Sequence, residues 1–233
     1  MNWKIGILCA GDSELEPFLT HIQNGVVSEK AMLKFHEGQI NGIPIVALYS
    51  GVCKVNAAIA AQILIDTYQV NAVVNAGTAG GMAETVQIFD TVISTRTAYH
   101  DVDDDILTEF HPWLPSIYFD ADPALLKIAK KIARSPAFTR PVHFGKTVTG
   151  EKFIQDALRA EINEKYAPLS ADMETASIAH VCYVNRIPFL AVRSITDTAS
   201  HAGLDNFEQN CESASAISKD FVLELLKLLA DCG

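Results

Sequence analysis

The sequence has no long apolar run. No stretch approaches the ~18 consecutive apolar residues that a membrane-spanning helix needs. Ile5 to Ala10 is too short for a secretory core, has no charged segment ahead of it, and reads as a buried strand. Cysteine is sparse and unpaired. Cys9, Cys53, Cys182, Cys211 and Cys232 are odd in number and never fall in a CxxC arrangement. That usage argues against a disulfide framework or a zinc site and fits a reducing compartment, so a cytoplasmic location is expected. Positive charge is also short: 18 Lys and Arg stand against 28 Asp and Glu, a formal net charge of −10. Such a chain repels phosphate backbones and anionic lipid, which excludes nucleic acid and membrane surfaces as expected partners. There is no GxGxxG fingerprint, no internal repeat and no low-complexity segment.

What is present is ordinary globular composition, 49% hydrophobic and 20% charged. A length of 233 residues needs no second unit, and no linker divides it, so one domain over 1–233 is expected. Strand-like runs alternate with helical patterns. Strands are expected at Lys4 to Ala10, Met32 to Ile40, Ile43 to Ser50, Ala72 to Ala76, Asp90 to Tyr99, Val142 to Thr149 and Phe189 to Ile195. Asn41-Gly42 between the second and third is a strong hairpin signal. Helices are expected at Ser13 to Gln23 with Asp12 or Ser13 as cap, and at Val55 to Tyr68, apolar nearly all round and so well buried. Others are expected at Pro123 to Arg134, Phe153 to Tyr166, Met173 to Asn185 and Phe207 to Leu229. Asp101 to Asp120 has little regular pattern. The alternation gives an α/β fold with a mixed sheet covered by helices on both faces, a three-layer sandwich.

In open α/β sheets, ligands bind beyond the carboxyl ends of the strands. There the sequence places Gly11-Asp12-Ser13-Glu14, Gly77-Thr78-Ala79-Gly80-Gly81, Gly150-Glu151-Lys152-Phe153, Asp172-Met173-Glu174 and Thr196-Asp197. At least three carboxylates converge on one sheet edge, with no matching supply of cations beyond Arg193. Such a cluster suits acid/base work on a neutral or cationic substrate better than phosphate binding. Singly, each piece has a plainer reading. Asp12 and Asp197 read as helix caps, Glu14 as a charge on a helix dipole, and the glycines at 77–81 as a tight turn. The run Asp103 to Asp105 behind His100-Asp101 reads as a solvated face rather than a metal site.

Taken together, the segments resemble the 5′-methylthioadenosine/S-adenosylhomocysteine nucleosidase family, within the nucleoside phosphorylase superfamily. The resemblance runs from Lys4-Ile5-Gly6-Ile7 to the last helix. It rests on Ser50-Gly51-Val52 with Lys54-Val55, Asn75 to Gly81, Tyr99 to Asp103, Asp172-Met173-Glu174 running into Ile178 to Cys182, and Pro188-Phe189 with Val192 to Asp197. It implies hydrolysis of the adenine–ribose bond without metal or cofactor, a role in methionine salvage, and a homodimer in which the 104–115 loop completes the neighbour's 5′ pocket. By position, it implies that Asp197 protonates adenine N7, Glu14 activates the attacking water, and Glu174 holds the ribose hydroxyls with Met173 against the sugar. Arg193 would orient the acids, Phe153 would stack on adenine, the Ile154 backbone would read its edge, and Phe207 would lie near the 5′ side. Val52, Thr78, Ala79, Gly80, Asp172 and Thr196 complete the expected substrate contacts, Thr196 through a hydrogen bond to Asp197.

The chain departs from the family's usual pattern at several places. Gly11 stands where a bulkier residue is common, Cys53 where glycine is, Thr78 where serine is, and Asp172 where glutamate is frequent. Leu107, Glu109 and His111 stand where aromatic residues are frequent. Three alternatives follow. A phosphorylase of the same fold would need an anion site where Asp12 and Glu14 stand. A hydrolase of a larger adenine nucleoside such as aminodeoxyfutalosine would differ in the 5′ pocket. A non-catalytic binding protein would be expected to lose one of the three acids.

Overall fold

The computed structural model describes residues 3–154, 156–201 and 203–231. The chain opens with β1 (Ile5–Cys9), α1 (Asp12–Leu19), β2 (Gln23–Lys30), β3 (Leu33–Ile40) and β4 (Ile43–Tyr49). β1 lies between β4 and β5 (Ala72–Gly81), parallel to both. A strand covered on two faces needs a continuous apolar run, which Ile5–Cys9 supplies. Ile5 and Ile7 enter one core and Leu8 the other.

β3 and β4 form the expected hairpin, with Ile40 opposite Ile43. Asn41 and Gly42 take φ of 51° and 78°, the left-handed pair that a tight two-residue turn requires. β2 was not expected from the sequence, and the helix expected to reach Gln23 ends at Leu19. Gln23–Lys30 has no apolar alternation because it is an exposed edge strand, held by its ladder to β3 rather than by burial.

The remaining elements are α2 (Lys54–Asp66), β6 (Thr91–Tyr99), α3 (Asp104–Glu109), β7 (Phe119–Asp120), α4 (Pro123–Ile132), β8 (Val142–Thr149), α5 (Asp156–Tyr166), β9 (Ser170–Asp172), α6 (Thr175–Asn185), β10 (Phe189–Asp197) and α7 (Leu204–Asp231). The irregular stretch 101–120 thus contains a short helix and a two-residue strand. The expected Phe153–Tyr166 helix begins at Asp156; Gln155 and Cys232 lie outside the described residues. None of the described helices is long and apolar enough to cross a membrane.

β5 carries β1 and then β9 along one edge and β10 along the other. β10 pairs with β6, β6 with β8, and β8 with β9. These pairings return to β5, so one half of the mixed sheet closes on itself while β1, β4, β3 and β2 extend from it. Phe18 of α1, Leu125 of α4 and Phe221 of α7 fill the core on one face of the sheet. Ala57 and Leu64 of α2 and Ile178 and Cys182 of α6 fill the other. This is the expected three-layer arrangement. The expectation of a well-buried α2 holds for one face only: Ala57, Ala60, Ala61 and Leu64 are buried, while Val55 and Ile59 are 68% and 45% exposed and leave an apolar strip on the surface.

Candidate active site

The acids lie at or just beyond the carboxyl ends of β1, β9 and β10. Glu14 is the third residue of α1, and Gly11, not Asp12 or Ser13, is the helix N-cap. Gly11 has no side chain to cap with, so Glu14 turns back on the helix entrance. Its Oε2 accepts from the backbone N–H of Ala10 at 2.7 Å and of Gly11 at 3.3 Å. Its Oε1 accepts from the backbone N–H of Thr78 at 2.7 Å and from the Thr78 hydroxyl at 2.9 Å. All four partners are donors, which is what an acceptor-only carboxylate requires. The segment 77–81, expected as a turn, instead extends β5. Glycine is needed there for approach: a Cβ on Gly77 would fall on the Glu14 carboxylate.

Glu174 lies between β9 and α6 and is 3% exposed. Its Oε1 accepts from the Cys53 N–H at 2.9 Å and its Oε2 from Nη2 of Arg193 at 3.2 Å. Burial pushes its carboxyl above the ordinary range, and the Arg193 guanidinium acts against that push. Asp172, expected among the substrate contacts, borders the cavity, but its oxygens are committed elsewhere. Oδ1 accepts from the Thr149 hydroxyl at 2.7 Å and from the N–H groups of Glu174 and Thr175 that open α6. Oδ2 accepts from Nε of Arg193 at 3.0 Å and from the Thr175 hydroxyl. Arg193 is not on the cavity wall. It is 1% exposed, behind the wall, and bridges Asp172 to Glu174.

Asp197 ends β10 and is 5% exposed. Its Oδ1 accepts from the Thr196 hydroxyl at 2.8 Å, as the sequence reading expected. Burial raises its pKa, while the Thr196 hydrogen bond and the charge of Arg159 lower it. A carboxyl in that state can carry a proton nearer neutrality than a solvated one.

One cavity joins these groups. Glu14, Glu174 and Asp197 line it together with Val52, Thr78, Ala79, Gly80, Phe153, Ile154, Met173, Thr196 and Phe207. Phe153 and Phe207 meet edge to face, their ring centres 6.1 Å apart. The structure therefore puts every expected residue on the cavity wall except Arg193, which holds Asp172 and Glu174 from behind it. It adds Met82, Lys152, Cys211 and, above all, Arg159, which the sequence reading did not single out. Arg159 had a signal: it shares a helical stripe with the buried Ile162 and Tyr166, three and seven residues on.

Known proteins resemble this chain over nearly its whole length. Residues 4–227 match the family model described as the phosphorylase superfamily. A 5′-methylthioadenosine/S-adenosylhomocysteine nucleosidase of Exiguobacterium is 35% identical, over 97% of this chain and 98% of that protein. The crystal structure of a nucleosidase of the same name from Colwellia psychrerythraea, in complex with adenine, superposes with a TM-score of 0.89 at 32% identity, covering 97% of this chain and 95% of that one. Futalosine hydrolase of Helicobacter pylori superposes equally well, with a TM-score of 0.89 at 25% identity, covering 98% of this chain and 99% of that one. By its sequence, the chain belongs to the phosphorylase superfamily and, within it, to the 5′-methylthioadenosine/S-adenosylhomocysteine nucleosidase family.

Proposed function

We propose that this chain, one nucleosidase domain over 1–233, hydrolyses the N-glycosidic bond of 5′-methylthioadenosine and S-adenosylhomocysteine. 5′-Deoxyadenosine is a further substrate. The products are adenine and the 5′-substituted ribose. The observation that carries this reading is the place of Glu14, buried and lining the same cavity as Asp197 and Glu174. A phosphate nucleophile would meet carboxylates there rather than an anion cradle, whereas water meets a base.

Adenine departs poorly as an anion. Asp197 gives its proton to N7, the C1′–N9 bond breaks, and the sugar becomes oxocarbenium-like. A water whose proton passes to Glu14 then bonds to C1′. The Gly11 N–H, the longest of the four contacts to Glu14 at 3.3 Å, is the one such a water displaces most readily. Glu174, fixed by Cys53 and Arg193, accepts from the ribose hydroxyls, and Met173 packs on the sugar. Phe153 stacks on adenine, the Ile154 backbone reads its edge, and Phe207 faces the 5′ substituent.

Two coarser features extend the reading. Val55 and Ile59 of α2, Tyr183 and Val184 of α6, and Ile106, Phe110 and Trp113 in 104–115 expose apolar surface. Such surface supports a homodimer whose partner loop closes the 5′ end of the pocket. Four free cysteines, Cys9, Cys53, Cys182 and Cys211, support a reducing, cytoplasmic setting. A larger adenine nucleoside of the futalosine type is the second reading, favoured by the likeness to futalosine hydrolase. The deciding experiment is adenine release from a panel of 5′-substituted adenosines, with and without phosphate. Hydrolysis without phosphate, fastest on the methylthio and homocysteinyl compounds, is expected. Phosphate-dependent release of adenine with the 5-substituted ribose 1-phosphate would overturn the assignment.

A further inference from the structure

Arg159 is a buried cation on the wall of a cavity otherwise dominated by acids, and the reaction above gives it no task. Its place is fixed. Nη1 donates to the Gly81 carbonyl at 2.6 Å and contacts the Met82 sulfur at 3.2 Å. Gly81 follows Gly80, which pairs with Asp197 across β5 and β10. A Cβ on Gly80 would stand 3.1 Å from Asp197 Oδ2, so the Asp197 carboxyl rests on this same piece of backbone. The guanidinium thus grips the strand on which the acid leans.

We propose that Arg159 is a positioning residue for the leaving-group acid: anchored on Gly81 and Met82, it supplies the fixed positive charge against which Asp197 gives up its proton to the base. The inference rests on the leaving-group role of Asp197 proposed above. Burial alone would hold the Asp197 proton too firmly, and the guanidinium opposes that effect. The other charged groups on the cavity wall are Glu14 at the start of α1, Asp172 and Glu174 ahead of α6, and Lys152 after β8. From α7 come Phe207 and the thiol of Cys211. Arg193 acts from behind, on Asp172 and Glu174.

The test is the pH profile of kcat/KM for adenine release in Arg159→Gln and Arg159→Lys, with thermal melts as a folding control. Glutamine keeps a donor for Gly81 and loses the charge; lysine keeps the charge. The alkaline limb, where the general acid loses its proton, is expected to move up by about 1 pH unit in Arg159→Gln and to stay in place in Arg159→Lys. Coincident limbs in both variants and the parent overturn the proposal, whatever the melts show. If the glutamine chain does not fold, Met82→Leu loosens the guanidinium at nearly constant volume. A small upward move of the limb is expected there, and an unmoved limb overturns the proposal. Asp197→Asn is assayed alongside. Normal turnover in that variant removes the leaving-group role itself, whereas an unmoved limb with an inactive Asp197→Asn removes only the part given to Arg159.

Discussion

Gly77 lies against the Glu14 carboxylate so closely that no side chain fits between them. The backbone N–H of Gly77 donates to Ser218 Oγ at 2.9 Å, and Ser218 donates in turn to the Val192 carbonyl, so the strand cannot retreat without breaking a buried chain of bonds. Glu14 is the part that must move. Gly77→Ala is therefore expected to displace Glu14 from Thr78 and Ala10 and to lower kcat far more than it raises KM. Overpacking of this kind costs about 1–3 kcal/mol of stability. Parallel denaturant melts and steady-state kinetics check both effects; an alanine variant with normal kcat would show that Glu14 tolerates the shift.

Asp197→Asn retains the acceptor for the Thr196 hydroxyl and removes the transferable proton. Loss of a positioned general acid costs roughly 10²–10⁴-fold in rate. Binding of a non-hydrolysable adenine nucleoside, measured by calorimetry, should stay close to that of the parent while turnover falls. Weakened binding with unchanged kcat would reassign Asp197 to ground-state recognition.

The same substitution has a stability signature. Burial raises the Asp197 pKa above 3.8, its ordinary value, so the folded chain binds this proton more tightly than the unfolded chain does. The stabilisation from that difference is complete below the unfolded value and is lost as pH rises through the folded one. Above the folded value the ionised, buried carboxylate is a burden that asparagine does not carry. Asp197→Asn should thus melt higher than the parent on the alkaline side of the folded value, and the gap should close on acidification, below about pH 4. Glu174 is raised for the same first cause, and Glu174→Gln should show the same sign. A gap that widens on acidification would contradict both directions.

Much of this was legible in the sequence, because the residues that build the site also punctuate the fold. Continuous apolar runs marked β1 and β10, and acids directly after strands marked the site. What escaped was set by tertiary contact. β2 is an exposed edge strand held by its ladder to β3 and by hydrogen bonds from Ser28 and Lys30, not by a buried face, so its side chains carry no periodic signal. The glycines at 77–81 look like a turn until Glu14 and residues 195–198 at the end of β10 are seen to need their missing side chains. Asp172 is committed to Arg193 and Thr149, partners that only the folded chain brings to it.

Cys53 stands in backbone territory that suits glycine, and the consequence can be measured. Its φ of 81° and ψ of 162° fall in a region nearly confined to glycine, costing about 1–3 kcal/mol for any residue with a Cβ. The position tolerates this because Cys53 opens α2 and its N–H holds Glu174 Oε1 at 2.9 Å. Glycine would keep that N–H and relieve the strain, while adding some freedom to the unfolded chain. The two effects oppose each other, and a net gain of about 1 kcal/mol is expected for Cys53→Gly. Because the Glu174 contact survives, kcat/KM should change little. Cys53→Ala separates strain from thiol chemistry: it removes the sulfur but keeps the Cβ, so it should bring no such gain. Equal stabilisation by alanine and glycine in denaturant melts would show that the thiol, not the backbone, is the source of the cost.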